Sequence, residues 1–383
     1  RLLPLQFFYS FRLVRLRDGP AGEDFTLALA DQVLRARSPG RAADQFHHLV
    51  RTFGIPAFLG PLQKFLVGAG SRLAHAFPGL VVPVLADRMR RRFASVIRPA
   101  APERLRQHLL ARRSAGFGVD VVLLGDAVLG EAGAERYLED IRLLLAEPAV
   151  ESLSLRLADL HAHPNPLAYE ATLEAVAGKL RRIFRSARDH PTTGPGGQAQ
   201  PKFVLLETAE STDLRLTAEV FQRTLSEPEF HPLAAGIVLQ AYLPEAIEVQ
   251  QELLAWAVGR VARGGAPIKI RLVKGSRLTD EAITASLHGW APATFTSQSA
   301  TDANFKRLLH HALEPGHAAA ARIGLATHNP FDLAYGLLLS AHLGVADKVD
   351  FEFLEGIAPH EACALRAFGA RVVLHTPIVH RTH

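Results

Sequence analysis

Residues 266 to 283 read APIKIRLVKGSRLTDEAI, an alternating strand pattern that ends on Arg271, Lys274 and Gly275. Two cations at the end of an apolar strand are costly to leave unpaired, so they imply a partner, either protein carboxylates or an anionic ligand. Similar β-rich runs elsewhere end on Asp126, Arg156, Glu207, Gln240, Thr327, His328, Asn329, Glu355 and His375. One or two such residues would be helix caps or salt bridges; a polar residue at nearly every run end predicts a lined cavity. Arg271 and Lys274 would supply fixed positive charge there, and Gln240, Thr327 and His328 hydrogen bonds, a set suited to an anionic cofactor. A flavin fits that set, because its ring gains negative charge on reduction and its pyrophosphate needs cations. The competing chemistry is a metal hydrolase built on His161 and His163 of HAHPNP with His328 and His375. Its spacing matches a metal site poorly, and a Pro-rich loop is an ordinary place for surface histidines. No GxGxxG follows a strand pattern, so a Rossmann nucleotide site is not expected.

The elements that must position these residues are legible in the chain texture. Eight β-rich runs occupy 119–125, 151–157, 202–207, 236–242, 268–275, 322–328, 349–356 and 371–378, each separated from the next by a longer helical pattern. That alternation implies a parallel sheet, and eight is the strand number that closes, so the expected fold is α/β, a (β/α)8 barrel of TIM type. The eighth helix is not in the sequence. Residues 1–115 show helical periodicity broken at SPGR and FGIPAFLGP, which predicts an all-helical N-terminal arm before a barrel at 116–383. The Gly/Pro-rich stretch DHPTTGPGGQAQP, 189–201, reads as a mobile loop.

Composition narrows the class. Hydrophobic residues at 48% and charged residues at 21% are globular values, and no apolar run is long enough to cross a bilayer. The net charge of +5 is concentrated in 86–113, where Met89, Phe93, Val96 and Ile97 fall at helical spacing among the arginines. No aromatics alternate with those cations to stack on bases, so the run reads as a solvated helix face and no nucleic-acid partner is expected. The single cysteine, Cys363, excludes an internal disulfide and fits a reducing, cytoplasmic compartment. The chain begins at Arg1 without a signal pattern, and we expect it to be part of a longer protein.

Six runs are more specific: LLGDAVLGEAGAERYL (123–138), FHPLAAGIVLQAYLPEA (230–246), GGAPIKIRLVKG (264–275), TDANFKRLL (301–309), ATHNPFDLA (326–334) and FEFLEGIAP (351–359). Together, and in this order, they resemble the proline dehydrogenase family, most of all the domain carried by bifunctional proline utilisation A proteins. The resemblance implies a distorted barrel that holds FAD non-covalently and oxidises L-proline to 1-pyrroline-5-carboxylate, with a quinone reoxidising the flavin. It also implies a pyrroline-5-carboxylate dehydrogenase, fused or paired, and a peripheral contact with the inner face of the membrane. By motif, Arg271 would lie against the flavin ring, Lys274 near its phosphates and Gln240 at its pyrimidine edge. Val273, Gly275, Thr296 of FTSQ, Thr327, His328 and Asn329 would complete the cradle, and Leu354 would cover the substrate.

The departures from the family cluster at the substrate. Asp126 stands where LGE carries its glutamate, Arg156 replaces the strand-two lysine and Glu207 the strand-three aspartate. Arg277 replaces a neutral residue after RLVKG, and His375 of HTP replaces a tyrosine. The Arg-Arg-x-x-Glu helix that grips proline in the family is not in the sequence. The alternative reading is therefore a catalytically impaired or non-catalytic flavin-binding barrel that serves as an interaction module.

Overall fold

The computed structural model describes residues 28–33, 36, 38–55, 61–93, 98–125, 128–161, 165–194, 197–208, 210–275 and 277–379. The chain divides into two compact units, 1–97 with 356–359, and 98–355 with 360–383.

Among its described residues the first unit holds a π-helical turn at Leu29–Val33 and three α-helices, α1 (Pro39–Phe53), α2 (Pro61–Ala76) and α3 (Pro78–Phe93). Each α-helix opens on proline, whose fixed φ and missing N–H suit a first turn. Ser38 caps α1 by accepting from the Arg41 amide at 3.3 Å, and Gly54 ends it at φ 72°. The breaks at SPGR and FGIPAFLGP are thus the helix boundaries. Leu29, Val33, Ala42, Ala43, Phe46, Leu49 and Ala74 form this unit's core.

The second unit is a closed barrel of eight parallel strands: β1 (Gly118–Leu124), β2 (Ser152–Arg156), β3 (Phe203–Glu207), β4 (Ala235–Gln240), β5 (Ile268–Val273), β6 (Ala321–Ala326), β7 (Val349–Leu354) and β8 (Arg371–Val379). β8 pairs with β1 from Val373↔Gly118 to Val379↔Leu124, which closes the ring. All eight predicted runs are strands, with ends displaced by no more than two residues.

Before the barrel, Arg98–Pro99 pairs with Ile378–Val379 at the far end of β8, and α4 (Pro102–Ser114) carries the chain back to the start of β1. This helix packs on β1, and its His108 and Arg112 each reach the Glu355 carboxylate at 2.8 Å. Connections of longer reach are α5 (Glu131–Ala146), α6 (Tyr169–Asp189), α7 (Asp213–Leu225), α8 (Ala246–Ala262), α9 (Leu278–His288), α10 (Gln298–Ala312), α11 (Pro330–His342) and α12 (Pro359–Ala367). The stretch expected as a mobile loop before β3 instead carries a small antiparallel ribbon, Thr192–Thr193 against Ala199–Gln200, with the Gly194 amide donating to the Gln198 carbonyl at 2.8 Å.

The interior departs from an ordinary barrel, which fills its lumen with branched apolar side chains. Period-two alternation turns Ile268, Ile270 and Leu272 of β5 outward to the helices and leaves Lys269 and Arg271 inside; Val349, Phe351 and Phe353 of β7 likewise leave Asp350 and Glu352 inside. Asp120 of β1 and Ser154 of β2 join them. Gly324 of β6 makes room, because a Cβ there would collide with the Glu352 carboxylate and stand 3.0 Å from the Lys269 side chain.

Candidate active site

Arg271 is the hub. Its side chain is 5% exposed, and its Nε donates to Glu352. Nη2 donates to Asp120 Oδ2 at 2.6 Å, and Nη1 to Ser154 Oγ at 3.0 Å and Glu207 Oε1 at 3.3 Å. One layer deeper, Lys269 Nζ lies 2.7 Å from Asp350 and 2.6 Å from Glu352, and Asp350 also receives Arg322 at 2.7 Å. Burial opposes the charge on Arg271, but Glu352 and Asp120 outweigh it and hold the guanidinium firmly protonated. Burial likewise pushes the Asp120 carboxyl up, and the Arg271 charge with the His375 bond overrides it, holding the carboxyl below the usual range. With its Nε and both Nη groups engaged, the guanidinium plane is fixed by the strands themselves.

Around this hub the strand ends bring two expected substrate residues, His375 and Glu207, together. His375 Nδ1 lies 3.0 Å from Asp120 Oδ2 and 3.5 Å from Arg271, and its Nε2 lies 3.6 Å from Glu207. Since a carboxylate only accepts, Nδ1 is assigned as the donor to Asp120, which leaves Nε2 with the lone pair. Arg156 is the register partner of Glu207 and is held in a bidentate pair by Asp159, at 2.8 and 3.2 Å. Leu354, half-buried, is the register partner of His375. Arg277 stands apart at the rim, half-exposed, 3.0 Å from Asp280 and 3.6 Å from Glu210. Asp126 lies outside the described residues. Glu355, read from the sequence as a cavity residue, faces the other way: alternation sets it opposite Glu352, against α4.

The expected cofactor residues sit on β4, β5 and the turn after β6. Gln240 is 5% exposed; its Nε2 donates to the Thr208 carbonyl at 3.1 Å, while its Oε1 has no hydrogen-bond donor. A buried acceptor without a donor costs about 1–3 kcal/mol, so this atom is a place where a ligand N–H stabilises the fold. The imide N–H of a flavin pyrimidine is such a donor. Val273 and Lys274 give their carbonyls to the Ala241 and Tyr242 amides, each at 2.8 Å, extending strand pairing beyond β5. Gly275, at φ 121°, packs its Cα on the Tyr242 ring, where any Cβ would overlap ring atoms. The Lys274 ammonium is shared by Asp302 at 2.5 Å and Asp332 at 2.6 Å. Thr327 is buried and its hydroxyl accepts from the Asn329 amide at 3.2 Å. Asn329 caps α11 through the Phe331 amide at 2.9 Å, and the His328 ring lies 5.6 Å from that of Phe353. Thr296 is exposed in the loop after α9, where the buried neighbour is Thr294.

Strand ends alone missed carboxylates that hold the two cations, Asp120 and Glu352 on Arg271 inside the barrel and Asp302 and Asp332 on Lys274 at its rim, and missed Asp350, which holds Lys269. The signal was present, since an acid flanked by apolar residues at period two marks an inward position in VDVVLLG and VDFEFLEG. The metal-hydrolase reading rested on His161, His163, His328 and His375. His161 lies 3.9 Å from Glu131, His375 belongs to Asp120 and His328 to Phe353, and these histidines form no three-ligand group among the described residues. His163 lies outside the described residues.

The sequence pattern of the proline dehydrogenase family matches residues 105–383. The chain belongs to the proline dehydrogenase family. Among solved structures it is similar to proline utilization A from Corynebacterium freiburgense, 37% identical over 83% of this chain and 32% of that one, with a TM-score of 0.71. Proline utilization A from Bdellovibrio bacteriovorus, described as inactivated by N-propargylglycine, is 23% identical over 95% of this chain and 36% of that one, with a TM-score of 0.75, and supports the fold alone. The chain thus spans about a third of these proteins' length. No curated protein sequence matches it. Among the described residues, no helix is long and apolar enough to cross a membrane.

Proposed function

We propose that this proline dehydrogenase domain oxidises L-proline to 1-pyrroline-5-carboxylate with FAD, and that a quinone is the final electron acceptor. The observation that carries the reading is Arg271, a buried cation fixed by Asp120, Glu207 and Glu352, on the strand that pairs with the one ending at Gln240, whose Oε1 is unsatisfied. Gln240, Val273, Lys274, Gly275, Thr296, Thr327, His328 and Asn329 would hold the flavin, with Arg271 supplying charge. When bound, the flavin would supply the two-electron acceptor for oxidation of the ring C–N bond. The chain's own part is positioning and proton handling. The carboxylates around Arg271 exceed the cations, which favours an ammonium substrate at the mouth. Proline must lose its amine proton before its carbon can be oxidised, and His375 Nε2, oriented through Nδ1 by Asp120, would accept it. Glu207 and Arg156 would orient substrate charge, Asp126 and Arg277 would flank it, and Leu354 would exclude water. Partners in this reading are a pyrroline-5-carboxylate dehydrogenase, fused or paired, and a cytoplasmic membrane face contacted peripherally for quinone.

The test is optical. The protein incubated with FAD and desalted should retain one flavin per chain, and anaerobic proline should bleach the visible flavin band. A desalted protein without that band would end the reading. Arg277, which puts a cation at the substrate rim, favours a second reading as a flavin-binding barrel without turnover; its signature is a retained band that proline leaves unchanged.

A further inference from the structure

The geometry points to a divalent transition-metal site at the opposite end of the barrel, formed by His311, Glu314 and His317. These residues lie where α10 ends and the chain turns toward the start of β6, away from the strand ends that carry Arg271 and Gln240. Each offers one ligand atom, and the three atoms lie within 4.8 Å of one another. His311 Nδ1 is 3.4 Å from Glu314 Oε1. Two ligands on a tetrahedral zinc ion, each bonded at about 2.0–2.1 Å, stand about 3.4 Å apart, so this pair already has the required separation. His317 Nδ1 faces the His311 carbonyl oxygen at 2.8 Å. The same Nδ1 lies 3.6 Å from Glu314 Oε2, so the ring sits beside the carboxylate with its orientation set by the carbonyl contact. The two rings meet edge to face with centroids 4.5 Å apart, and both side chains are about one-quarter exposed, at 25% and 24%.

Two further features favour a cation with an open coordination position. The end of α10 presents the negative pole of its helix to the site. A cavity of 370 Å³ adjoins His311 and Glu314 and is also lined by Lys306, Arg307, His310 and Tyr335. Its basic lining suits a water or small anion as the remaining ligand. Two imidazoles and one carboxylate select zinc-class ions over magnesium or calcium, which take oxygen ligands. Such an ion would clamp the α10–β6 turn.

Zinc chloride titrated calorimetrically into the full chain tests the site. One ion should bind per chain, and Glu314→Gln and His317→Gln should each weaken binding by about tenfold or more, since each removes one of the three ligating side chains, a larger loss than that of a ligand's hydrogen-bond partner. The chain has 18 histidines, so surface binding elsewhere needs its own control, and His288→Gln should leave the affinity unchanged. Cobalt(II) should show visible absorption of a tetrahedral site in the wild type and lose it in Glu314→Gln. No saturable zinc binding, or binding equal in all three variants, overturns the assignment. Glu314 is 53% exposed, so its variant decides the matter even if His317→Gln folds poorly.

Discussion

Replacing Glu355 by Gln tests how the barrel is sealed. The carboxylate is fully buried beneath α4, where it accepts from His108 at 2.8 Å, Arg112 at 2.8 Å and Thr376 at 2.6 Å, with Arg98 at 3.7 Å. Burial pushes its pKa up, but the His108 bond and charge, the Arg112 charge and the Thr376 hydroxyl together hold it down, from 4.5 to about 2. At about 1.4 kcal/mol per pH unit, that drop is worth about 3 kcal/mol of folding stability at neutral pH. A depressed carboxylate gives its full stabilisation above the unfolded pKa and loses it as the pH falls through the folded one, here between about 4.5 and about 2. At pH ~3.5 the wild type has already lost about 1.4 kcal/mol of this contribution, while glutamine, which does not titrate, loses nothing. Glu355→Gln should therefore unfold about 3 kcal/mol more easily in urea at pH ~7, and the gap should close by nearly half at pH ~3.5. Circular dichroism with unchanged denaturant slopes reads both values. Equal gaps at the two pH values would refute the reasoning, because the cost would then lie in shape rather than charge.

Arg271→Met should cost about 3–5 kcal/mol of stability, since it strands Asp120 and Glu352 in the lumen, and Arg271→Met with Glu352→Gln should recover part of it; denaturation of both variants settles whether the three groups act as a unit. Asp213, at the start of α7, has its pKa pushed up to about 6, first by burial and then by Glu210. A raised acid is penalised when ionised, so Asp213→Asn should raise the melting temperature at pH ~8 by an amount worth about 1–2 kcal/mol, with the gain vanishing as the pH falls toward about 4, and a gain that persists in acid would contradict this.

The barrel was legible because its evidence is local. Each strand run is apolar, β-branched and bounded by helical texture, and the count of eight decides closure without any knowledge of contacts. The ribbon was not legible: it pairs Thr192–Thr193 with Ala199–Gln200, and Gly/Pro-rich composition reads the same whether or not those residues meet. The site was half legible. Arg271, Gln240 and Gly275 announce themselves as polar or small residues at strand ends, and the structure brings Arg271, Glu207 and His375 together. Their controlling partners are far away in sequence: Asp120 precedes Arg271 by 151 residues and His375 by 255. Composition cannot show which acid meets which base over such separations; barrel closure does. Lys274 was read as a cation in need of a partner, either protein carboxylates or an anionic ligand, and Asp302 and Asp332 are the carboxylates that meet it.

The closure of β1 by β8 and the latch of α4 onto Glu355 have a consequence for how the protein is made. His108 emerges from the ribosome 247 residues before the carboxylate that anchors it. At about 5–20 residues per second, β1 waits on the order of 10–50 seconds with one edge bare. During that interval its VDVVLL face is open to any passing strand. Chaperone dependence in the cell should accordingly fall in a circularly permuted version that translates the last strand first.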